Sequence, residues 1–270
     1  MERRRLAEAR SVGLIRRWRR WREDRTVARH AITDALWHHT LASFPFLRHA
    51  QDTEGLRRMT SLFLASKEFH GVGGLQIDDA TALAIAAQAC LPVLHLGLTL
   101  YGASRTIVLH PTEVLAPRQD LDDNGLVHEW HEELAGEVQQ GGPVMLAWSA
   151  VEASRDQASD APDASVYNVV IHEFVHLIDL ANGEADGVPP LPDALAARLW
   201  HDQLCRAWDR FGDRTAHREP SCIDAYGNQA LEEFFAVASE AYFVAPSALR
   251  DEDPQLFAQL DDYFRPSASR

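Results

Sequence analysis

The segment Val169-Val170-Ile171-His172-Glu173-Phe174-Val175-His176-Leu177-Ile178-Asp179 decides the architecture of this 270-residue chain. Its apolar residues predict a helix that is buried beneath a cleft. His172 and His176 are four residues apart, so their rings lie one above the other on one helical face. That spacing lets two neutral imidazoles bind one tetrahedral cation. Glu173 is displaced around the helix and close enough to take a proton from a water that the cation acidifies.

The alternative interpretation of this segment is a pair of core histidines with a surface glutamate. Burying two histidines and an acid on an apolar helix costs free energy unless they have partners. We therefore expect one Zn²⁺ per chain. A hydrolytic zinc site needs a third protein ligand and an open fourth position.

Three acidic residues are candidates for completing or supporting this site. Glu233 and Glu240 are seven residues apart on the predicted helix Leu231–Val244 and share a face, so one could bind the metal while the other supports a histidine. Asp179 has a short side chain and would more naturally orient a ligand histidine. The alternatives are a solvated acidic stripe for the pair and an exposed helix-end acid for Asp179. Spacing alone leaves these choices open.

The predicted strand Val144–Trp148 lies just before the metal-binding helix in the sequence. An exposed strand edge beside such a site can bind an extended peptide through its backbone. A wholly internal strand fits the same residues equally well.

Long helices with few strands between them predict an α+β fold, a mostly helical domain with a small β-sheet. We expect an Arg-rich helical arm at 1–30, one domain at 31–265 and a tail at 266–270. The predicted helices are Arg3–His39, Asp52–Lys67, Ile77–Leu91, Val166–Leu180, Leu195–Phe211, Leu231–Val244 and Pro254–Phe264. The predicted strands are Thr106–His110 and Val144–Trp148, and the predicted irregular segments are Arg155–Ala164 and Glu184–Pro192.

Charge is distributed unevenly along the chain. The formal net charge is -14, which argues against a general nucleic-acid binder. The first thirty residues nevertheless carry eleven arginines and four acids. This arm is either a solvated, frayed end or a contact for an anionic surface. Trp18 and Trp21 are three residues apart and could dock the arm onto the body.

Cellular context is predicted from what the chain contains. Cys90, Cys205 and Cys222 are scattered and odd in number, which favours a reducing compartment over a disulfide framework. The start lacks the apolar run of a secretory signal. The apolar stretch Ala80–Leu100 is interrupted by Pro92, so we expect a buried helix and no membrane span.

Four segments resemble the Mlc titration factor A family, bacterial zinc peptidases whose site is similar to that of anthrax lethal factor. The resemblance runs from roughly Gly71 to Pro246. It is carried by LPVLHLGLTLYG (Leu91–Gly102), GGPVMLAW (Gly141–Trp148), YNVVIHEFVHLIDLANGEADGVP (Tyr167–Pro189) and IDAYGNQALEEFFAVASEAYF (Ile223–Phe243).

The resemblance implies a role for particular residues. It makes His172 and His176 the metal ligands, Glu173 the catalytic base and Glu233 the third ligand. It leaves Glu240, with Asp179, as supports behind the ligands. Tyr226 lies seven residues before Glu233, where the related lethal-factor site has a tyrosine that helps to stabilise the oxyanion. The alternative for Tyr226 is an ordinary half-buried tyrosine. Two departures from the family are the Arg-rich start and Glu232, an acid where the family often has a small residue.

The implied activity is that of a cytoplasmic, aminopeptidase-like enzyme that acts on peptides. The family also implies a possible second role, in which the protein binds a transcriptional repressor of the Mlc type and so regulates sugar uptake. In the alternative function the chain is a non-catalytic titration factor and its zinc site is structural or vestigial.

Overall fold

The computed structural model describes residues 17, 18, 20–102, 104–121, 127–138, 141–155 and 165–266. The predicted start of the N-terminal helix, most of the segment Arg155–Ala164 and the last four residues lie outside these ranges.

Helices dominate the described residues and surround one small sheet. Residues 17, 18 and 20–29 are helical and are called α1. The other helices are α2 (Asp34–Ser43), α3 (Thr53–Ser66), α4 (Asp79–Cys90), α5 (Trp148–Ala153), α6 (Val169–Asp179), α7 (Ala194–Ala216), α8 (Leu231–Val244), α9 (Pro246–Glu252) and α10 (Pro254–Phe264). The strands are β1 (Glu68–Gly71), β2 (Thr106–His110), β3 (Val114–Leu121), β4 (Val127–Leu134), β5 (Gly136–Val138) and β6 (Val144–Ala147). The predicted α+β class is confirmed.

The N-terminal prediction of one continuous helix to His39 is wrong, because the chain breaks between α1 and α2. Thr33 is extended, and its side chain caps α2 by accepting a hydrogen bond from the Leu36 N–H. Arg57 on α3 donates to the Ile32 carbonyl and to Asp34. Arg57, which is distant in the sequence, therefore stabilises the break between α1 and α2.

Helix α1 contacts the body through its acids and not through its tryptophans. Glu23 and Asp24 lie 3.5 Å and 2.7 Å from the Arg58 guanidinium on α3. Trp18 and Trp21 are 58% and 52% exposed. The predicted docking of these two indoles onto the body is therefore wrong.

The four-stranded sheet has the order β1-β2-β6-β5. The pairs β1–β2 and β2–β6 are parallel, and β5 runs antiparallel to β6. The strand predicted at Val144–Trp148 is thus internal, and its last residue already belongs to α5. The edge strand beside α6 is β5, a half-buried strand of three residues that its composition does not predict. Strands β3 and β4 form a separate antiparallel pair.

Helix α6 starts at a buried polar junction. The Asn168 side chain caps it by accepting from the Ile171 N–H at 2.9 Å and donates to Gln88 of α4 at 2.9 Å. The Asn168 backbone N–H donates to Glu240 of α8. This junction joins three helices and sets where the metal motif begins.

Helix α6 ends in a short turn that a glycine closes. A short 3₁₀ turn, Leu180–Asn182, follows α6, and Gly183 closes it at φ 115° in the left-handed region. The irregular segment predicted from Glu184 to Pro192 is confirmed. Behind the site, the Phe174 ring of α6 packs edge-on against Phe63 and Tyr101, with centroids 5.6 Å and 4.9 Å away.

The three cysteines are free. None of the described helices combines the length and apolar character needed to cross a bilayer. The division at residues 30 and 265 stays a prediction.

We predict that Asn168→Ala lowers the free energy of unfolding by about 2–4 kcal/mol. It removes a helix cap and leaves the buried Gln88 amide without its partner. Asp193→Ala removes the exposed cap of α7 and should cost only about 1 kcal/mol. Urea unfolding of both variants measures the difference, and equal losses would contradict the buried junction.

Candidate metal centre

Three side-chain atoms converge on one point between α6 and α8. His172 Nε2 and His176 Nε2 are 3.1 Å apart. Glu233 Oε2 lies 3.1 Å from His172 Nε2 and 3.3 Å from His176 Nε2. These three residues form the one potential metal cluster found among the described residues. The structure thus brings together the two histidines and the acid that the family resemblance selects.

The geometry of this triangle fits a tetrahedral cation. Ligands about 2.0–2.1 Å from zinc at tetrahedral angles stand about 3.3–3.4 Å apart, close to the observed separations. Glu233 Oε2 is buried and makes no hydrogen bond in the described structure. A buried carboxylate oxygen without a donor is costly unless a cation takes that place. The donor set therefore fits a zinc ion held by all three residues.

Glu240 lies behind His172, on the side away from the triangle. Its Oε1 is 2.8 Å from His172 Nδ1, and its other oxygen accepts from the Asn168 N–H. Glu240 is 2% exposed. This contact fixes the ring and keeps Nε2 free to face the triangle. Glu233 and Glu240, which are seven residues apart, thus contact His172 from opposite sides of its ring.

Burial and the charges that face them set the pKa values of His172 and Glu233. Burial lowers the pKa of His172, but the adjacent Glu233 and Glu240 carboxylates outweigh it and raise that pKa. Burial raises the pKa of Glu233, but the two imidazoles beside it prevail and lower it to about 2. Glu233 is therefore an anion, the form that binds a cation.

Glu173 is held under the edge strand. A methyl group at Gly136 of β5 would lie 2.4 Å from Glu173 Oε1, so only glycine lets the strand pass this close. Glu173 is 6% exposed. Burial is the main cause that raises its pKa to about 6. A carboxylate with this pKa can both accept and release a proton near neutral pH.

Tyr226 is carried by a 3₁₀ turn, Ala225–Asn228, that packs on α8. Its ring centroid lies 6.0 Å from that of His172, and the side chain is 38% exposed. The Trp208 indole donates to the Gly227 carbonyl at 2.8 Å. A methyl group at Gly227 would lie 2.7 Å from Val237 Cγ2, so glycine allows the close packing that puts Tyr226 at the site.

A cleft of about 370 Å³ lies between α6, α8 and β5, and His172, Glu173 and Tyr226 line it. Its described lining includes four carboxylates and contains neither lysine nor arginine. The lining residues are Glu113, Ala135, Gly136, Tyr167, Val169, His172, Glu173, Asp224, Tyr226, Val237 and Glu240.

Asp179 lies at the end of α6 and anchors the following loop. Its Oδ2 accepts from the Gly187 N–H at 2.8 Å, and Trp200 donates to the Gly187 carbonyl at 2.8 Å. Asp179 Oδ1 is buried and has no hydrogen-bond partner. Burial raises the pKa of Asp179 to about 7. The predicted contact with a ligand histidine remains a prediction.

Residues 18–265 match the family described as glucose-regulated metallo-peptidase M90. The chain belongs to the M90 family. Among M90 relatives, a protein named Mlc titration factor A from Klebsiella pneumoniae subsp. pneumoniae is 33% identical over 234 residues, 85% of each chain. A protein of the same name from Salmonella arizonae is 31% identical over 244 residues, 88% of this chain and 93% of its own length. The family resemblance is confirmed and extends beyond the segments that carry it in the sequence.

Sequence reasoning missed two residues that shape this M90 site. Gly136 lies in a strand too short to show alternation, although a glycine within a strand is itself a signal of close backbone approach. Asn168 directly precedes the metal motif, where a residue of this type predicts a helix cap. That second signal was available in the sequence.

We predict that Asp179→Asn makes the protein more stable than wild type above neutral pH. A carboxyl group whose folded pKa exceeds its unfolded pKa binds more protons when folded, so its contribution to stability falls as pH rises. The change spans pH about 4 to about 7 and amounts to about 2–4 kcal/mol. Asparagine keeps an acceptor for the Gly187 N–H and carries no charge.

The measurement is the difference in free energy of unfolding between variant and wild type across that pH range. Asp186→Asn, which removes an exposed acid from the same loop, is the control and should follow wild type. A difference for Asp179→Asn that does not grow with pH would contradict a buried, proton-binding carboxyl group.

Proposed function

We propose that this chain is a zinc-dependent peptidase of the aminopeptidase-like kind, working in the cytoplasm. The observation that carries the proposal is the triangle of His172, His176 and Glu233, with Glu173 beside it under an edge strand. A purely structural zinc site is usually closed by four protein ligands and needs no general base. Three ligands beside a buried carboxylate suit a hydrolytic site.

His172, His176 and Glu233 would hold the zinc ion, which when bound would supply Lewis acidity toward water and the scissile carbonyl. Glu173 takes the proton from the attacking water and passes it to the leaving amine. The Tyr226 hydroxyl donates to the oxyanion as negative charge develops there. Glu240 holds the His172 ring in its orientation throughout. These tasks are divided among α6, α8 and the 3₁₀ turn, so a small shift between α6 and α8 would impair several of them together.

Strand β5 is the surface we assign to the peptide backbone. An extended substrate can add to the edge of the sheet at Gly136–Val138 as a further strand. Its carbonyl would then pass over Glu173, which lies directly under Gly136. An aminopeptidase also needs an anion for the α-ammonium group of its substrate. Glu113 and Asp224 are candidates, since both line the cleft.

Zinc is preferred to iron for this donor set. Two histidines and one carboxylate also bind Fe(II) in oxygenases, which keep further open positions. Here both histidines come from one helix with Glu173 directly after the first, an arrangement typical of zinc hydrolases.

A second candidate function is the binding of a transcriptional repressor of the Mlc type. It is favoured by the name of the relatives, Mlc titration factor A. Repressor binding needs a surface and no proton transfer, so the two functions can coexist and are separable by mutation.

We predict that Glu173→Gln keeps its zinc but loses about 10³-fold in kcat, because the amide cannot accept the proton. Glu233→Ala should lose the metal as well as the activity, because two histidines alone bind zinc weakly. Metal analysis of the purified proteins and hydrolysis of amino-acid nitroanilides measure both effects. One zinc per chain is expected in wild type.

Tyr226→Phe removes only the hydroxyl group and should lower kcat with little change in KM. Glu232→Gln is the matched control for the acid next to the ligand and should leave metal and activity unchanged. Full hydrolysis by Glu173→Gln would overturn the assigned base, and a metal content dominated by iron would overturn the assigned ion.

We predict that Glu173→Gln binds the host's Mlc-type repressor as tightly as wild type, because the substitution changes no exposed surface. Pull-down of the purified repressor by both proteins tests this. Binding by neither protein would remove the second function, and loss in the variant alone would mean that binding uses the active-site cleft.

A further inference from the structure

Helix α1 has one solvent-facing side that none of the site's chemistry uses. Its members follow helical spacing: Trp18, Trp21, Arg22, Arg25 and Arg29 are offset by three, four, seven and eleven residues from the first. All five side chains are exposed. We call this set the outer face of α1.

The opposite side of α1 fixes how the outer face points. Glu23 and Asp24 are bound by Arg58 of α3, while Thr26 and Val27 are half-buried. The acids of α1 are therefore neutralised against the body. The arginines and indoles are left on the side that faces solvent.

The outer face combines cations with amphipathic aromatic rings. The Arg22 guanidinium lies 4.9 Å from the Trp18 ring centroid, and the Arg25 guanidinium lies 4.8 Å from that of Trp21. Indoles settle at the boundary between lipid headgroups and acyl chains, and arginines pair with anionic headgroups. The first thirty residues have eleven arginines and four acids, which leaves 15 basic and 36 acidic residues for the rest.

We propose that the outer face of α1 binds the surface of an anionic phospholipid bilayer, with Trp18 and Trp21 as anchors. A bilayer fits better than a nucleic acid for two reasons. Bases stack on the faces of aromatic rings, and here a guanidinium already covers a face of each indole. Side chains that share one helical face also match a plane. Residues 31–270 are acidic and oppose the wrapping of a polyanion around the body.

The test is co-sedimentation of the full chain with phosphatidylcholine vesicles that contain or lack phosphatidylglycerol. Wild type should bind only the anionic vesicles at about 0.1 M salt and dissociate at about 1 M. Arg22→Gln with Arg25→Gln should weaken binding about 25-fold, at about fivefold per charge. Trp18→Ser with Trp21→Ser should weaken it about tenfold while keeping the salt dependence.

Two matched controls carry the same substitutions elsewhere. Arg198→Gln with Arg206→Gln, and Leu195→Ser with Leu199→Ser, change exposed residues of α7 and should bind like wild type. Thermal unfolding confirms that each variant is folded. Wild type that ignores anionic vesicles, α1 variants that bind unchanged, or tighter binding to single-stranded RNA than to vesicles would each overturn the proposal.

Discussion

The buried contact between Glu240 and His172 is the constraint on which the rest of the site depends. It joins α8 to α6 through a carboxylate that is 2% exposed, and a buried charge of this kind is stable only when its partners are fixed. The other oxygen of Glu240 holds the N-terminus of α6 at Asn168. One side chain thus sets the rotation of a ligand ring and the starting point of the helix that carries both histidines. Glu233 then reaches the triangle from the same helix as Glu240, two turns earlier.

The sheet supplies the other wall, and its order explains why glycine is needed there. Strand β5 is short and antiparallel, and it is held only by β6 among the described strands. It crosses α6 at Gly136, where any larger residue would meet Glu173. The close approach shields the carboxylate from water and raises its pKa. Glu173 and the edge strand therefore act together, because the strand that could align a peptide also raises the pKa of the carboxylate that would activate water.

Local patterns predicted the parts of this site that depend on local geometry. The pairing of His172 with His176 follows from helical spacing alone. Helices α8 and α10 begin and end at the predicted residues, Leu231–Val244 and Pro254–Phe264. Spacing could not rank Glu233 against Glu240, because both lie on one face and both reach His172. The break before α2 and the strand β5 escaped prediction because distant partners, Arg57 and β6, impose them. The docking predicted for Trp18 and Trp21 is wrong because helical spacing shows that two residues share a face. It does not show whether that face packs against the body or points to solvent.

The charges of the cleft favour a cation on grounds independent of any resemblance. Glu173, Glu233 and Glu240 converge on two imidazoles without a lysine or arginine in the described lining. Like charges held this close in a poorly solvated site raise one another's free energy, and each carboxylate also loses hydration. Protonating His172 would offset one charge, but its Nε2 proton could not satisfy Glu233 and His176 at once. A divalent ion at the triangle offsets two charges and bonds to all three facing atoms, which is why this arrangement is better suited to binding metal than to a buried salt bridge.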